Sequence, residues 1–233
     1  EILSCAIPLI CPIGADVRLI STSHPIRRYH DNMKRTITAL VLGLSLLVAS
    51  VGIGYAQDFL KGVEAWEKGD FAAALREWSA LAEQGNTLAQ FSLGWLYEDG
   101  RGVTQDHKEA VKWYRKAAEQ GFEDAQFNLG LMYSQGKGVL QDYKEAVKWY
   151  RKAAEKGLGN AQFNLGVMYM KGQGVPQNNI YAYIWANIAA SNGNAGGVKI
   201  REIIAKNMKS ADIFKAQKLA RECVKKNYKG CRL

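Results

Sequence analysis

AQFSLGWLYEDGRGVTQDHKEAVKWYRKAAEQGFED, running from Ala89 to Asp124, is followed without a gap by two further copies of the same 36-residue unit. These are AQFNLGLMYSQGKGVLQDYKEAVKWYRKAAEKGLGN from Ala125 to Asn160 and AQFNLGVMYMKGQGVPQNNIYAYIWANIAASNGNAG from Ala161 to Gly196. A period of this size means stacked supersecondary pieces rather than one globular core, because each piece buries its apolar face only against its neighbours. The default work of such an array is to present a surface, so the expectation is a binding protein.

Within the first copy, Ala89, Leu93, Leu96 and Tyr97 fall at i, i+4, i+7 and i+8, one face of a helix. Ala110, Tyr114, Ala117 and Ala118 mark a second helix that ends at Gly121, where a positive φ costs little. Between the helices lie paired glycines: Gly100 and Gly102, Gly136 and Gly138, Gly172 and Gly174. Small residues at facing positions, Gly94 among them, let the two helices approach closely. Each unit therefore reads as a helix–loop–helix hairpin and the chain as all-α. Trp113, Trp149 and Trp185, recurring on the second helix, read as packing between repeats.

The first methionine is Met33. Met33-Lys34-Arg35-Thr36 leads into an apolar stretch, Ile37 to Gly54, and then Gly54-Tyr55-Ala56. A basic start, an apolar middle and small residues at the −3 and −1 positions are a secretory signal peptide, 33–56, with cleavage expected after Ala56. The apolar stretch is about as long as a bilayer span, so an uncleaved anchor is the competing reading. Residues 1–32, with Cys5 and Cys11, show no helical or strand period; a start codon placed too early explains them. The expected product is periplasmic or secreted, with no integral membrane span after cleavage.

The mature chain, from Gln57, keeps two cysteines, Cys223 and Cys231. Two cysteines this close in an exported chain favour a local disulfide over a metal pair, since the one mature histidine, His107, is far away in sequence. Charge is uneven. Residues 57–196 carry 15 basic and 16 acidic side chains, whereas residues 197–233 carry 11 and 3. A basic terminal block favours anionic envelope partners, and it is equally how a solvated capping helix looks. Nucleic acid is not expected after export.

The A-x-x-x-L-G-x-x-Y opening, the G-x-G-V loop and the A-x-x-W-Y-x-x-A-A-x-x-G ending together resemble the Sel-one-like repeat family, relatives of the tetratricopeptide repeat. The resemblance covers residues 89–196, as repeats 89–124, 125–160 and 161–196. It implies a right-handed α-solenoid whose concave side takes proteins or peptides, and roles in envelope assembly, signalling or host contact, with no common chemistry. Residues 57–88 resemble a shorter unit of tetratricopeptide form, an N-terminal cap in which Trp78 stands where Tyr114 and Tyr150 do. In the third unit Lys112 and Lys148 give way to Ile184, Lys116 and Lys152 to Ile188, and Tyr150 to Ala186. Such a face needs cover, which helices at 197–207 and 211–227 would supply, with Ser210 as N-cap; residues 197–233 are the basic C-terminal cap.

On the first helix of each unit, the face opposite the apolar set carries Phe91, Trp95 and Glu98, then Phe127, Leu131 and Ser134, then Phe163, Val167 and Met170. The resemblance places this face on the concave groove, where an aromatic stripe with a changing rim suits an extended or helical peptide. The phenylalanines are as readily packing residues between repeats. Trp95 is expected to meet a partner, because its counterparts Leu131 and Val167 show that no fixed packing role requires tryptophan.

Signals for chemistry are weak. Ser134 and Lys137 match the S-x-x-K signature of penicillin-recognising enzymes, and some family members are described as penicillin-binding or lactam-hydrolysing. Those enzymes start a buried helix with the motif and add S-D-N and K-T-G elements, whereas here it falls at the glycine loop and stands alone. The G-x-G pairs are not phosphate loops, since they follow helices and no G-x-x-x-x-G-K-[ST] is present. One mature histidine cannot build a histidine-rich metal site. The expectation is a non-enzymatic adaptor or scaffold for a protein or peptide, with no cofactor. A lactam or cell-wall hydrolase, and a binder of anionic envelope surfaces through the basic C-terminus, are the competing readings.

Overall fold

Asp106, Asp142 and Asn178 start the second helix of each repeat by the same device. The Asp106 side chain accepts from the backbone N–H of Lys108 and Glu109 at 2.8 and 3.1 Å, and Asp142 does the same for Lys144 and Glu145. Asn178 accepts from Tyr181 at 3.0 Å. Each side chain thereby satisfies donors that the first helical turn leaves without partners.

The computed structural model describes residues 49–229 and Cys231, with side chains from Asp58 onward. The expected extension 1–32 and most of the expected signal peptide lie outside the described residues. Ten helices form among those described: α1 (Ala49–Glu67), α2 (Phe71–Glu83), α3 (Thr87–Asp99), α4 (His107–Glu119), α5 (Glu123–Gln135), α6 (Tyr143–Ala154), α7 (Gly159–Lys171), α8 (Asn179–Ser191), α9 (Ala195–Ala205) and α10 (Ser210–Lys225). They pack pairwise in chain order, α1 with α2, α3 with α4, α5 with α6 and α7 with α8, and each pair stacks on the next. This is an all-helical α-solenoid. Among the described residues no helix is long and apolar enough to cross a membrane.

The paired glycines have separate tasks. Gly100, Gly136 and Gly172 close the first helices in the left-handed conformation, φ 72°, 68° and 69°, each donating its N–H to a carbonyl of the last turn. Gly102, Gly138 and Gly174 are also left-handed, and a Cβ there would collide with Phe71, His107 and Tyr143 respectively. Those three residues open the second helix of the preceding unit. The second glycine therefore seats the loop of one repeat on the helix start of the one before it.

Inside each hairpin the close approach is glycine against a ring. A Cβ on Gly94 would lie 2.5 Å from the Tyr114 ring, and one on Gly130 2.7 Å from the Tyr150 ring. In the N-terminal unit Gly62 faces the Trp78 ring in the same way, so Trp78 does take the tyrosine's place. Between units, buried Gln90, Gln126 and Gln162 each donate to the carbonyl eight residues back, of Ala82, Ala118 and Ala154, at 3.0–3.1 Å. These bonds tie the end of one second helix to the next first helix.

At the far end α9 and α10 both pack on α8. Ile184 and Ile188 are 2% and 1% exposed, in one core with Ile200 and Ile204 of α9 and Ala216, Ala220 and Cys223 of α10. The helix boundaries differ by a residue or two from those expected. Ser210 is not the N-cap of α10: it is already the first helical residue, Lys209 precedes it without a side-chain cap, and Asp212 supplies the acidic group of the first turn. Cys223 and Cys231 form a disulfide, Cα atoms 5.3 Å apart. It closes a turn in which Asn227 and Tyr228 are left-handed.

Candidate functional site

The first helix of each repeat is sandwiched between two second helices, its own and that of the preceding unit. Burial therefore wraps far around it. On α3 Gln90, Phe91, Ser92, Leu93, Gly94 and Leu96 are all buried, which leaves only a narrow strip open. The nine candidate groove residues divide accordingly.

Phe91 is 2% exposed, its ring 5.0 Å from Phe122 and 5.7 Å from Tyr114. It is a packing residue and offers a partner almost no surface. Phe127 is half-buried, 5.9 Å from the Tyr150 ring. Phe163 is half-buried too, and a Cβ on Gly196 of α9 would sit 2.8 Å from its ring. Glu98 and Ser134 turn towards the inside of their own hairpins. The Tyr114 hydroxyl donates to Glu98 at 2.7 Å, and the hydroxyls of Tyr150 and Ser134 meet at 3.1 Å. A buried phenol requires such a partner, so these two positions serve the fold before any rim. Met170, in the unit where the tyrosine is Ala186, packs at the edge of the core instead.

Trp95, Leu131 and Val167 remain, one per repeat at equivalent positions, each half-buried. Leu131 and Val167 pack against the rim of the C-terminal core. Trp95 meets Trp66 of α1 edge-on at 5.8 Å, and the Arg101 guanidinium lies 5.3 Å from its ring and 5.6 Å from Phe71. Arg101 also pairs with Asp99. Beside this strip, Arg115 donates to the Tyr133 hydroxyl at 2.6 Å and Arg151 to that of Tyr169 at 3.0 Å. Each arginine belongs to one repeat and each tyrosine to the next, so the contacts hold adjacent units in register.

Two buried phenols carry shifted titrations. Burial pushes the Tyr150 hydroxyl up to about 12, and burial reinforced by the Glu98 carboxylate raises Tyr114 well above the usual phenol range. Ser134 stands in the last turn of α5 and donates to the Leu131 carbonyl at 2.9 Å, while Lys137 is exposed beyond the helix end. The expected match to an S-x-x-K motif thus sits at the wrong end of its helix. Among the described residues no group of three or more His, Cys, Asp or Glu side chains is placed to hold a metal ion.

The tryptophans of the second helices are buried as expected, Trp149 within the core of the preceding repeat. Lys116 and Lys152 lie 4.1 Å over the rings of Trp113 and Trp149. The glutamines at 90, 126 and 162 were not singled out from the sequence. Their signal was available, since the same polar residue recurs at one position in all three copies.

Residues 87–122, 123–158 and 159–194 each match the family model of the Sel1 repeat. These frames open where α3, α5 and α7 begin, two residues ahead of the alanine-based frame. Among solved structures, a Sel1 repeat protein from Oxalobacter formigenes is 38% identical with a TM-score of 0.59, over 62% of this chain and 59% of that one. A protective antigen present in uropathogenic Escherichia coli strains, displaying an SLR fold, is 31% identical with a TM-score of 0.54, over 76% of this chain and 47% of that one. The chain thus covers 59% and 47% of the lengths of these two relatives. No curated protein matches it.

Proposed function

This chain belongs to the Sel1 repeat proteins, and from that premise we propose that it is a non-enzymatic adaptor which takes a protein or peptide partner along the open strip of its first helices. The observation that carries the reading is the set Trp95, Leu131 and Val167. These side chains hold one position in three successive repeats, stay half-buried, and differ in size from repeat to repeat. A stripe that is apolar throughout supplies affinity, and its changing side chains supply specificity. The hydrolase reading has less support, because Ser134 is engaged with Leu131 and Tyr150 and Lys137 is exposed beyond the helix end.

Export is part of the proposal. The pairing of Cys223 with Cys231 suits an oxidising compartment, and the likeness to an antigen of uropathogenic Escherichia coli agrees with it. The test is cross-linking capture in living cells with mass spectrometry of what is held, the Trp95→Ala form run in parallel after its helicity is shown to equal that of the wild type. One dominant protein, lost in the variant, is the expected result. A diffuse catch that the substitution leaves unchanged would overturn the groove reading.

A further inference from the structure

Four lysines of the central repeats are occupied. Lys112 pairs with Glu109 and Lys148 with Glu145, both at 3.1 Å, and Lys116 and Lys152 cover tryptophan rings. The basic side chains of α10 are in a different condition. Lys215, Lys218, Arg221 and Lys225 are all exposed. Among the described residues none of the ion pairs or cation–π contacts includes them. The turn after the helix adds Lys226 and Lys229, against only Asp212 and Glu222 in residues 210–229.

Helical geometry sorts these groups. Ala216, Ala220 and Cys223 are the buried line of α10 against α8. At about 100° per residue, the side directly opposite holds Phe214, Lys218 and Lys225, flanked by Arg221 on one side and Glu222 on the other. The stripe is roughly 16 Å long, and Glu222 is its one acidic neighbour. Phe214 stands at its N-terminal end, 66% exposed. A large aromatic ring held 66% exposed at the end of a mainly cationic row adds little to the packing of this domain.

We propose that this stripe of α10 rests on an anionic bilayer surface, with Phe214 entering the boundary between headgroups and acyl chains and Lys218, Arg221 and Lys225 meeting lipid phosphates. The combination of one exposed ring with flanking cations is what an interfacial helix requires, because burial of the ring and attraction to the phosphates add. A partner of purely acidic chemistry would need the cations alone. The surface is separate from the strip on the first helices, so a partner held there would be presented at a membrane.

The experiment is co-sedimentation of the full chain with vesicles of phosphatidylglycerol and phosphatidylethanolamine, with phosphatidylcholine vesicles and soluble heparin as comparisons. Every form keeps the apolar stretch Ile37–Gly54, whose contribution is therefore common to all of them. Binding to the anionic vesicles is expected, weakened about a hundredfold by combined Lys218→Glu, Arg221→Glu and Lys225→Glu and reduced by added salt. Phe214→Ala should lower vesicle binding severalfold and leave heparin binding unchanged. Equal binding to charged and zwitterionic vesicles, or no effect of the triple change, would overturn the proposal. Vesicle binding indifferent to Phe214→Ala would also overturn it, and would identify the stripe as a site for soluble polyanions.

Discussion

Gly130 and Gly166 hold the same place in consecutive repeats but should answer the same substitution differently. A Cβ on Gly130 meets the Tyr150 ring at 2.7 Å, whereas on Gly166 the nearest atom is the Ala182 carbonyl at 3.2 Å. The third repeat has Ala186 where the second has the tyrosine. Gly130→Ala is therefore expected to cost about 1–3 kcal/mol through overpacking, and Gly166→Ala distinctly less, as read by urea denaturation of the two variants. The ring that makes Gly130 necessary also sets an alkaline limit. Burial pushes Tyr150 up to about 12, against about 10 in an unfolded chain. The folded state holds this proton more tightly than the unfolded state, so the contribution is fully present below pH ~10 and is lost as pH rises towards ~12. Equilibrium unfolding followed across that window should show a shallower alkaline loss in Tyr150→Phe than in the parent. A close approach of the two helices at Gly94 and its equivalents was legible from the aligned copies, but the rings that Gly94 and Gly130 face were not. Which hydroxyl or carboxylate would serve the buried phenol was not, because Glu98, Ser134 and Met170 share a position without sharing a chemistry.

At the scale of elements, the second helices obeyed their periodicity and the first helices did not. The second helices α4 and α6 meet two first helices each and do so with a single apolar face. On the first helices burial wraps farther round, so polar Gln90, Ser92 and Asn164 are buried beside apolar residues. Of the two readings of Phe91, groove residue and packing residue, its burial at 2% exposed supports packing. The change from lysine to isoleucine on α8 was legible for a plain reason: an apolar face at the end of a stack has to be covered. The structure supplies that cover with α9 and α10. Restoring the internal-repeat residue by Ile184→Lys would bury an unpaired ammonium at a site now 2% exposed. It is expected to destabilise by about 3–5 kcal/mol. Hydrogen exchange should then show α10 losing protection before α4 and α6, and unchanged protection in α10 would contradict its role as the cover.

For the whole molecule the account turns on which surface meets a partner. Register between repeats is held by the glutamine bonds and the arginine–tyrosine contacts, and the last unit is finished by the disulfide-closed turn, whose Tyr228 hydroxyl lies 3.1 Å from the Asn192 amide. What the repeats leave open, and vary, is the line through Trp95, Leu131 and Val167. A photo-reactive residue placed at Leu131, compared in living cells with one at exposed Lys112 on the second helix, tests this directly. The account predicts one discrete cross-linked protein from position 131 that is absent from position 112 and absent when Trp95→Ala is added. Equal products from both positions, or a product only from 112, would contradict it.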